Sequence, residues 1–333
     1  MRTFLGLHHQ TLAPASAITI GNFDGVHRGH QAMLALLRNE AANRGVTSCV
    51  LTFEPHPRDY FAKLLHKPEL APARVGTVRD KLMDLADNQV EQTVILPFGA
   101  QLANQEPEEF VQNVLVQALG ARYVLVGDDF RFGKNRAGDY QLLDAMGRQL
   151  GFDVARMNSY EVHGVRVSSS EVRKALQEGR MQDAAKLLGR PYAVSGHVLH
   201  GRKLGRQLGA SGSSATDGFR TLNLHFKHWK PAASGIFVVQ VHGLADRPLP
   251  GVANMGVRPS LDSNDVNGGR VLLETHCLEW PTWLGQEGGY GKTIRVELLE
   301  KLHDELKYPD LQALTQGISK DIEAAKAWFS AHR

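Results

Sequence analysis

Gly21-Asn22-Phe23-Asp24-Gly25-Val26-His27-Arg28-Gly29-His30 follows a short apolar run, Ala17 to Ile20, and leads into an amphipathic one. From Gly29 to Arg44, the residues Met33, Leu34, Leu37 and Ala41 recur at helical spacing, and Gly45 supplies a stop. The stretch therefore reads as strand, glycine turn and helix. The same alternation continues outward. Val46 to Phe53 reads as a strand, Thr77 to Asn88 as a helix with Val78, Leu82 and Leu85 on one face, and Thr93 to Leu96 as a strand. Pro107 to Leu119 is a helix with proline near its start, followed by a strand from Tyr123 to Val126, a helix from Asp139 to Leu150 and a strand from Phe152 to Met157. Strands that are nearly all apolar and alternate with helices predict a doubly wound α/β domain, its parallel sheet covered on both faces.

The pattern changes near Leu187 to Pro191. Beyond it, short strand candidates are broken by Gly, Pro and Asn: Tyr192 to Leu199, Ile236 to His242, Val252 to Met255, Val271 to Leu278 and Thr293 to Leu299. These predict an antiparallel barrel or sandwich. A last helix follows, with Leu311, Leu314, Ile318, Ile322, Ala325 and Phe329 in steps of three and four. The expected division is residues 1–187 and 188–333, and 333 residues at roughly 150 per domain agree with it.

Composition excludes several classes. Apolar residues at 42% and charged residues at 22% exclude a long disordered chain. A net charge of +3 suits phosphorylated small molecules and is too weak for a nucleic-acid partner. Cys49 and Cys277 are the two cysteines, which excludes a disulfide framework and a cysteine-rich metal site and points to the reducing cytoplasm. Met1 to Gln10 is broken by Gly6, His8 and His9 before a signal-like core forms, and no run approaches the roughly 20 apolar residues of a membrane helix. No membrane partner is expected, and the oligomeric state is left open.

The opening turn also carries chemistry. A helix start after a parallel strand presents free N–H groups and a positive dipole end to anions. Ligands of such sheets bind at the carboxyl ends of the strands. His27 and His30 share a face in a first helical turn. Gly29 between them lets a ligand approach the backbone. The spacing leaves two readings open: a triphosphate site, or a capped turn with two surface histidines. Val167-Ser168-Ser169-Ser170-Glu171-Val172-Arg173 supplies hydroxyls able to cap a helix and an arginine able to bind phosphate. Thr52-Phe53-Glu54-Pro55-His56-Pro57, read as a stiff, extended loop, and Val126-Gly127-Asp128-Asp129-Phe130-Arg131-Phe132-Gly133 each follow a strand end.

As a set, these stretches resemble the nucleotidyltransferase signature and, more narrowly, the FMN adenylyltransferase domain of bacterial bifunctional riboflavin kinase/FAD synthetases, over roughly residues 15–190. Ser170 stands where the family usually has threonine. The resemblance implies that His27 and His30 stabilise the transition state of adenylyl transfer. It also implies that Gly21, Phe23, Asp24, Gly29, Phe53, His56, Asp129, Arg131, Ser169, Ser170 and Arg173 bind ATP and flavin.

The second half extends the resemblance. Gly201-Arg202-Lys203-Leu204-Gly205-Arg206-Gln207-Leu208-Gly209 suits a phosphate-cradling loop, although basic glycine turns are common. It is similar to the riboflavin kinase module's ATP loop, and Phe219-Arg220-Thr221-Leu222-Asn223-Leu224 is similar to the segment after it. Two departures stand out: residues 210–218 are inserted, and Arg220 replaces a proline. The resemblance implies that Thr221 and Asn223 bind the Mg²⁺ of Mg-ATP. Two oxygen donors two apart in an extended segment share one side, which suits that ion. Val252 to Ser260 and Leu273-Glu274-Thr275-His276 complete the set. They imply ATP or flavin binding by Gly201, Gly205, Arg206, Asn254 and Arg258, and Glu274 as the base. By strand alternation Glu274 shares a face with Leu272, His276 and Leu278, either partly buried or at a solvent edge. The activity implied is phosphorylation of riboflavin to FMN and adenylylation of FMN to FAD, with ATP as co-substrate and Mg²⁺ as cofactor. The alternatives are a monofunctional FAD synthetase whose kinase half the insertion impairs, and a flavin-binding protein without turnover.

Overall fold

The stretch Ser16–Ile20 is buried along its whole length, and a strand buried on both faces needs helices above and below it, which the first half of the chain supplies. The computed structural model describes residues 1–162, 164–199, 221–226, 230–258, 270–285 and 287–332. Two compact units emerge, Met1–Pro72 with Lys81–Ser169, and Ala73–Asp80 with Ser170–Arg333.

The first unit is built on a six-stranded sheet whose pairings are all parallel. Its strands are β1 (Arg2–Leu5), β2 (Ser16–Ile20), β3 (Thr47–Glu54), β4 (Gln92–Pro97), β5 (Ala121–Gly127) and β6 (Asp153–Met157), in the order β1-β4-β3-β2-β5-β6. Every residue of β2 is buried, as a central parallel strand requires. The chain proceeds from β2 through β3 to β4 on one side, then returns to place β5 and β6 on the other. The strand order therefore reverses between β2 and β5, and ligands of such sheets bind at the carboxyl ends beside that reversal. Gly21 and Gly127 mark those two ends.

Helix α1 (Arg28–Arg44) buries Gly29, Leu34, Leu37 and Ala41 and ends at Gly45 in the left-handed conformation. Three elements differ from the sequence reading. Edge strand β1 was not anticipated. The Pro55-His56-Pro57 segment is not an extended loop throughout: Pro57 opens helix α2 (Pro57–Leu64), because proline lacks only an N–H that a first turn leaves unbonded anyway. Helix α3 (Val78–Asp87) buries Asp80, Lys81, Asp84 and Leu85, while Val78 and Leu82 are half-buried and Met83 is exposed. Beyond Pro107–Glu109, residues Phe110–Ala118 wind as a wider helix, in which the Leu119 N–H reaches back five residues to the Val114 carbonyl.

The second unit is a closed antiparallel barrel of six strands. They are β9 (Tyr192–Leu199), β10 (Leu222–Phe226), β11 (Gly235–His242), β12 (Leu249–Arg258), β13 (Arg270–Cys277) and β14 (Thr293–His303), after a small hairpin of β7 (Glu161–Val162) and β8 (Val165–Arg166) in the first unit. The order around the barrel is β10-β13-β12-β11-β14-β9. The barrel alternative is thus realised, and closure removes the exposed sheet edges that a sandwich would keep. The last helix, Leu311–Ala331, packs Ile322 and Ala325 against Val238 and Val252 on the barrel's outer face. Two further helices belong to this unit apart from the first residue of one: Ser169–Gln177 and Met181–Leu188. The segment 73–80 joins the barrel unit through Arg74, whose N–H donates to the Lys230 carbonyl at 2.7 Å, and through Asp80, which accepts from the Ser195 N–H at 2.9 Å.

Candidate active sites

The turn after β2 is shaped by buried side chains in an unusual backbone. Phe23 (φ 49°) and Val26 (φ 37°) lie in the left-handed region, although both are buried. Such conformations cost about 1–3 kcal/mol each for residues with a Cβ and persist where the surroundings over-determine them. The turn places His27 at the N-cap of α1. Its Nδ1 accepts the His30 backbone N–H at 3.3 Å, so the neutral ring carries its proton on Nε2. The His27 and His30 rings stack with centroids 3.7 Å apart, and Phe23 packs against His30 at 4.8 Å. Burial, then the neighbouring His27 and Lys81, hold the His30 imidazole well below the usual histidine range. Its Nδ1 is buried with no hydrogen-bond partner among the described residues.

Glycine has a specific task at position 29. A Cβ there would meet the His27 ring at 3.3 Å and the Val167 carbonyl at 3.5 Å, so the space that a side chain would take is filled by the histidine. At Gly21, a Cβ would meet the Phe23 ring at 3.1 Å. Asp24 is buried, and its carbonyl accepts the Ser169 hydroxyl at 2.9 Å. Ser169 stands as the first residue of its helix rather than as the cap before it.

The remaining candidates of the first unit lie at or just after the ends of β3 and β5. Phe53, near the end of β3, meets Phe98 edge-on at 5.8 Å. His56 is buried as the N-cap of α2, its Nδ1 accepting the Arg58 N–H at 3.1 Å. Asp129 is exposed, and Arg131 pairs with Asp139 at 3.3 Å. Sequence reasoning passed over Lys81, Thr52 and Arg166. Arg166 donates to Asp128 at 3.0 Å, and Asp128 also accepts the Ser159 hydroxyl. In the second unit, Arg173 approaches the exposed Ser170 hydroxyl at 3.4 Å.

On the barrel, register brings three polar residues into line. Glu274 stands directly opposite Asn223 on one neighbouring strand and Asn254 on the other. Directly opposed Cβ atoms are about 4.5–5.5 Å apart, so these side chains share one face. Glu274 is half-buried on the middle strand of the three, which answers the choice between burial and a solvent edge in favour of burial. Asn223 is buried, and its amide approaches the Thr221 hydroxyl at 3.4 Å. The Asn254 Oδ1 is buried with no partner among the described residues. Thr221 and Asn223 form a small set of neutral donors. Among the described residues no group of three His, Cys, Asp or Glu could hold a metal. Such a set fits an ion that keeps waters and phosphate oxygens, as Mg²⁺ does. Gly201, Gly205 and Arg206, with the 210–218 insertion and Arg220, lie outside the described residues; Arg258 is placed by its backbone alone, opposite Arg270.

Comparison with known proteins matches both halves of the chain to families. The FAD synthetase family matches residues 9–171, and the riboflavin kinase family matches residues 188–329. A bifunctional riboflavin kinase/FMN adenylyltransferase of Escherichia coli K12 is 38% identical over 331 residues, covering 99% of this chain and 98% of that protein. The protein of the same description from Pseudomonas fluorescens is 39% identical over 336 residues, covering 100% of both. A solved structure described as a macrolide-efflux protein from Streptococcus pneumoniae shares the fold, with a TM-score of 0.73 at 23% identity over 98% of this chain and 99% of that one. With both family patterns in tandem and relatives matched along their whole length, the chain belongs to the bifunctional riboflavin kinase/FMN adenylyltransferase family.

Proposed function

We propose that residues 188–333 transfer the γ-phosphoryl of ATP to the riboflavin 5′-hydroxyl, and that residues 1–187 then join FMN to the AMP part of a second ATP. The chain is a transferase with both activities, riboflavin kinase and FMN adenylyltransferase, and its substrates are ATP, riboflavin and FMN. In the kinase step, Glu274 accepts the hydroxyl proton as the oxygen attacks the γ-phosphorus and ADP leaves. Thr221 and Asn223 would hold Mg²⁺, which when bound neutralises charge on the phosphates. Asn254 and Arg258, with Gly201, Gly205 and Arg206, bind the nucleotide or flavin. The alignment of Asn223, Glu274 and Asn254 supports a working kinase and disfavours the monofunctional alternative.

In the adenylyl step, an FMN phosphate oxygen attacks the α-phosphorus of ATP and pyrophosphate leaves, giving FAD. His27, protonated on Nε2, and the uncharged His30 donate hydrogen bonds to the oxygens on which charge builds up. Preorganised donors of this kind act at the moment of reaction without reorganising. Gly21, Phe23, Asp24 and Gly29 form the turn around the nucleotide; Phe53, His56, Asp129, Arg131, Ser169, Ser170 and Arg173 complete the ATP and flavin contacts. The single observation that carries this reading is the His27/His30 stack at a helix start beside the strand-order reversal. A cytoplasmic location suits both reactions, and among the described residues no helix is long and apolar enough to cross a membrane.

The test is incubation of the pure protein with riboflavin, ATP and Mg²⁺, with FMN and FAD resolved chromatographically. Both products are expected. His30→Ala should slow FAD formation by about 10²–10³ while FMN still accumulates. Pyrophosphate release that does not depend on FMN would overturn the assignment.

A further inference from the structure

Helix α3 buries Leu85 in the core and, beside it, charged side chains as well. Met83 is 37% exposed, whereas Lys81 is 4% exposed and flanked by the buried Asp80 and Asp84. Burying an ammonium costs several kcal/mol before any pairing offsets it. An ammonium buried beside the core residue Leu85 calls for a use. Its Nζ donates to the Thr52 hydroxyl at 3.4 Å, and that hydroxyl donates to the Asn22 carbonyl at 3.3 Å. Asn22 is the residue after Gly21 in the histidine turn.

We propose that Lys81 is a positioning residue for adenylyl transfer: its buried ammonium, acting through Thr52 and through its charge, holds the turn and the His27/His30 pair in the arrangement that receives the triphosphate. This rests on the His27/His30 reading above. A fixed cation next to stacked imidazoles divides the work. Lysine brings positive charge for an anionic ligand, and His30, discouraged from protonating by burial and by that charge, stays a neutral donor. His27 at the N-cap of α1 and Lys81 on α3 are the groups whose charge acts on His30, after burial itself. The carboxylates carried by the same elements are Asp24 in the turn and Asp84 one helical turn beyond Lys81, both buried, and Glu54 as the last residue of β3. The face of His30 toward Phe23 is apolar.

The experiment compares the full-length wild type with Lys81→Met and Lys81→Arg. One readout is FMN-dependent pyrophosphate release against pH; the other is the NMR titration of His30 in the ligand-free protein, assigned with His30→Ala. Lys81→Met should slow adenylylation by about tenfold or more. It should also move both the acid limb of the rate profile and the His30 midpoint to higher pH, since removing a neighbouring positive charge favours the imidazolium. Lys81→Arg should keep the midpoint near its wild-type position and recover part of the rate. Riboflavin phosphorylation by the same samples reports folding, and if Lys81→Met loses it, Lys81→Gln takes its place with the same expected results. An unmoved midpoint in the charge-removing variant would overturn the proposal, even with a slower rate. Full adenylylation by His30→Ala would overturn the underlying site reading instead.

Discussion

Replacing Gly29 with alanine separates catalytic geometry from stability. The φ angle of Gly29 is not in the left-handed region, so alanine suits the backbone. Its Cβ would stand 3.3 Å from both Cε1 and Nδ1 of His27, closer than ordinary contact, and 3.5 Å from the Val167 carbonyl. The ring must therefore give by a few tenths of an ångström. Its capping bond to the His30 N–H is already long at 3.3 Å, and such a shift weakens it further. Losing an N-cap costs about 1 kcal/mol, while alanine regains up to about 1 kcal/mol of helix propensity over glycine. The two effects nearly cancel, so Tm should stay within about 3 °C of wild type. Catalysis has no such compensation. A misplacement of about 1 Å costs roughly 10²-fold, so a few tenths correspond to about a three- to tenfold loss. The assay is FMN-dependent pyrophosphate release beside riboflavin phosphorylation in the same sample, with Tm by calorimetry. The adenylyl rate should fall by that factor and FMN formation should not change. A wild-type adenylyl rate would refute the argument, because the position of the His27 ring would then not matter to the reaction.

Glu274→Gln keeps the shape and hydrogen bonding of the side chain but cannot take the hydroxyl proton, so single-turnover FMN formation should fall by about 10²–10⁴ while ATP binding persists; near-normal turnover would make Glu274 a structural member of its strand. His303 bonds Asp321 at 2.8 Å through Nε2 and the Asp304 carbonyl at 2.7 Å through Nδ1. Burial alone would lower its pKa, but these two acceptors outweigh it and hold the ring above the usual histidine range. A raised folded-state pKa means stabilisation that is full below the unfolded value and is lost as pH rises through the folded one. The Tm advantage of wild type over His303→Gln should therefore be largest in mild acid and shrink with rising pH, and an advantage independent of pH would count against it.

Much of the fold was legible because the patterns that set it are local. Five of the six sheet strands, the helix after Gly21 and five barrel strands follow from periodicity and glycine stops, since burying one face dictates spacing whatever the neighbours are. His27 and His30 were legible for the same reason: three residues apart in a first helical turn, they had to share a face. What escaped was non-local. Edge strand β1 has too few residues to carry a pattern, and β10 was read only as an extended segment. Pro57 was compatible with either a loop or a helix start, and only the packed structure chose. Helix α3 buries charge beside its hydrophobic stripe, because Lys81 and Asp80 bond to groups dozens of residues away. The sequence by itself thus determined the two kinds of domain and the residue types of each site. Tertiary structure alone decided that Asn223 and Asn254 flank Glu274, that His27 fills the space Gly29 leaves, and that Lys81 points inward. Strand register and helix rotation depend on contacts between distant segments, which no local spacing encodes.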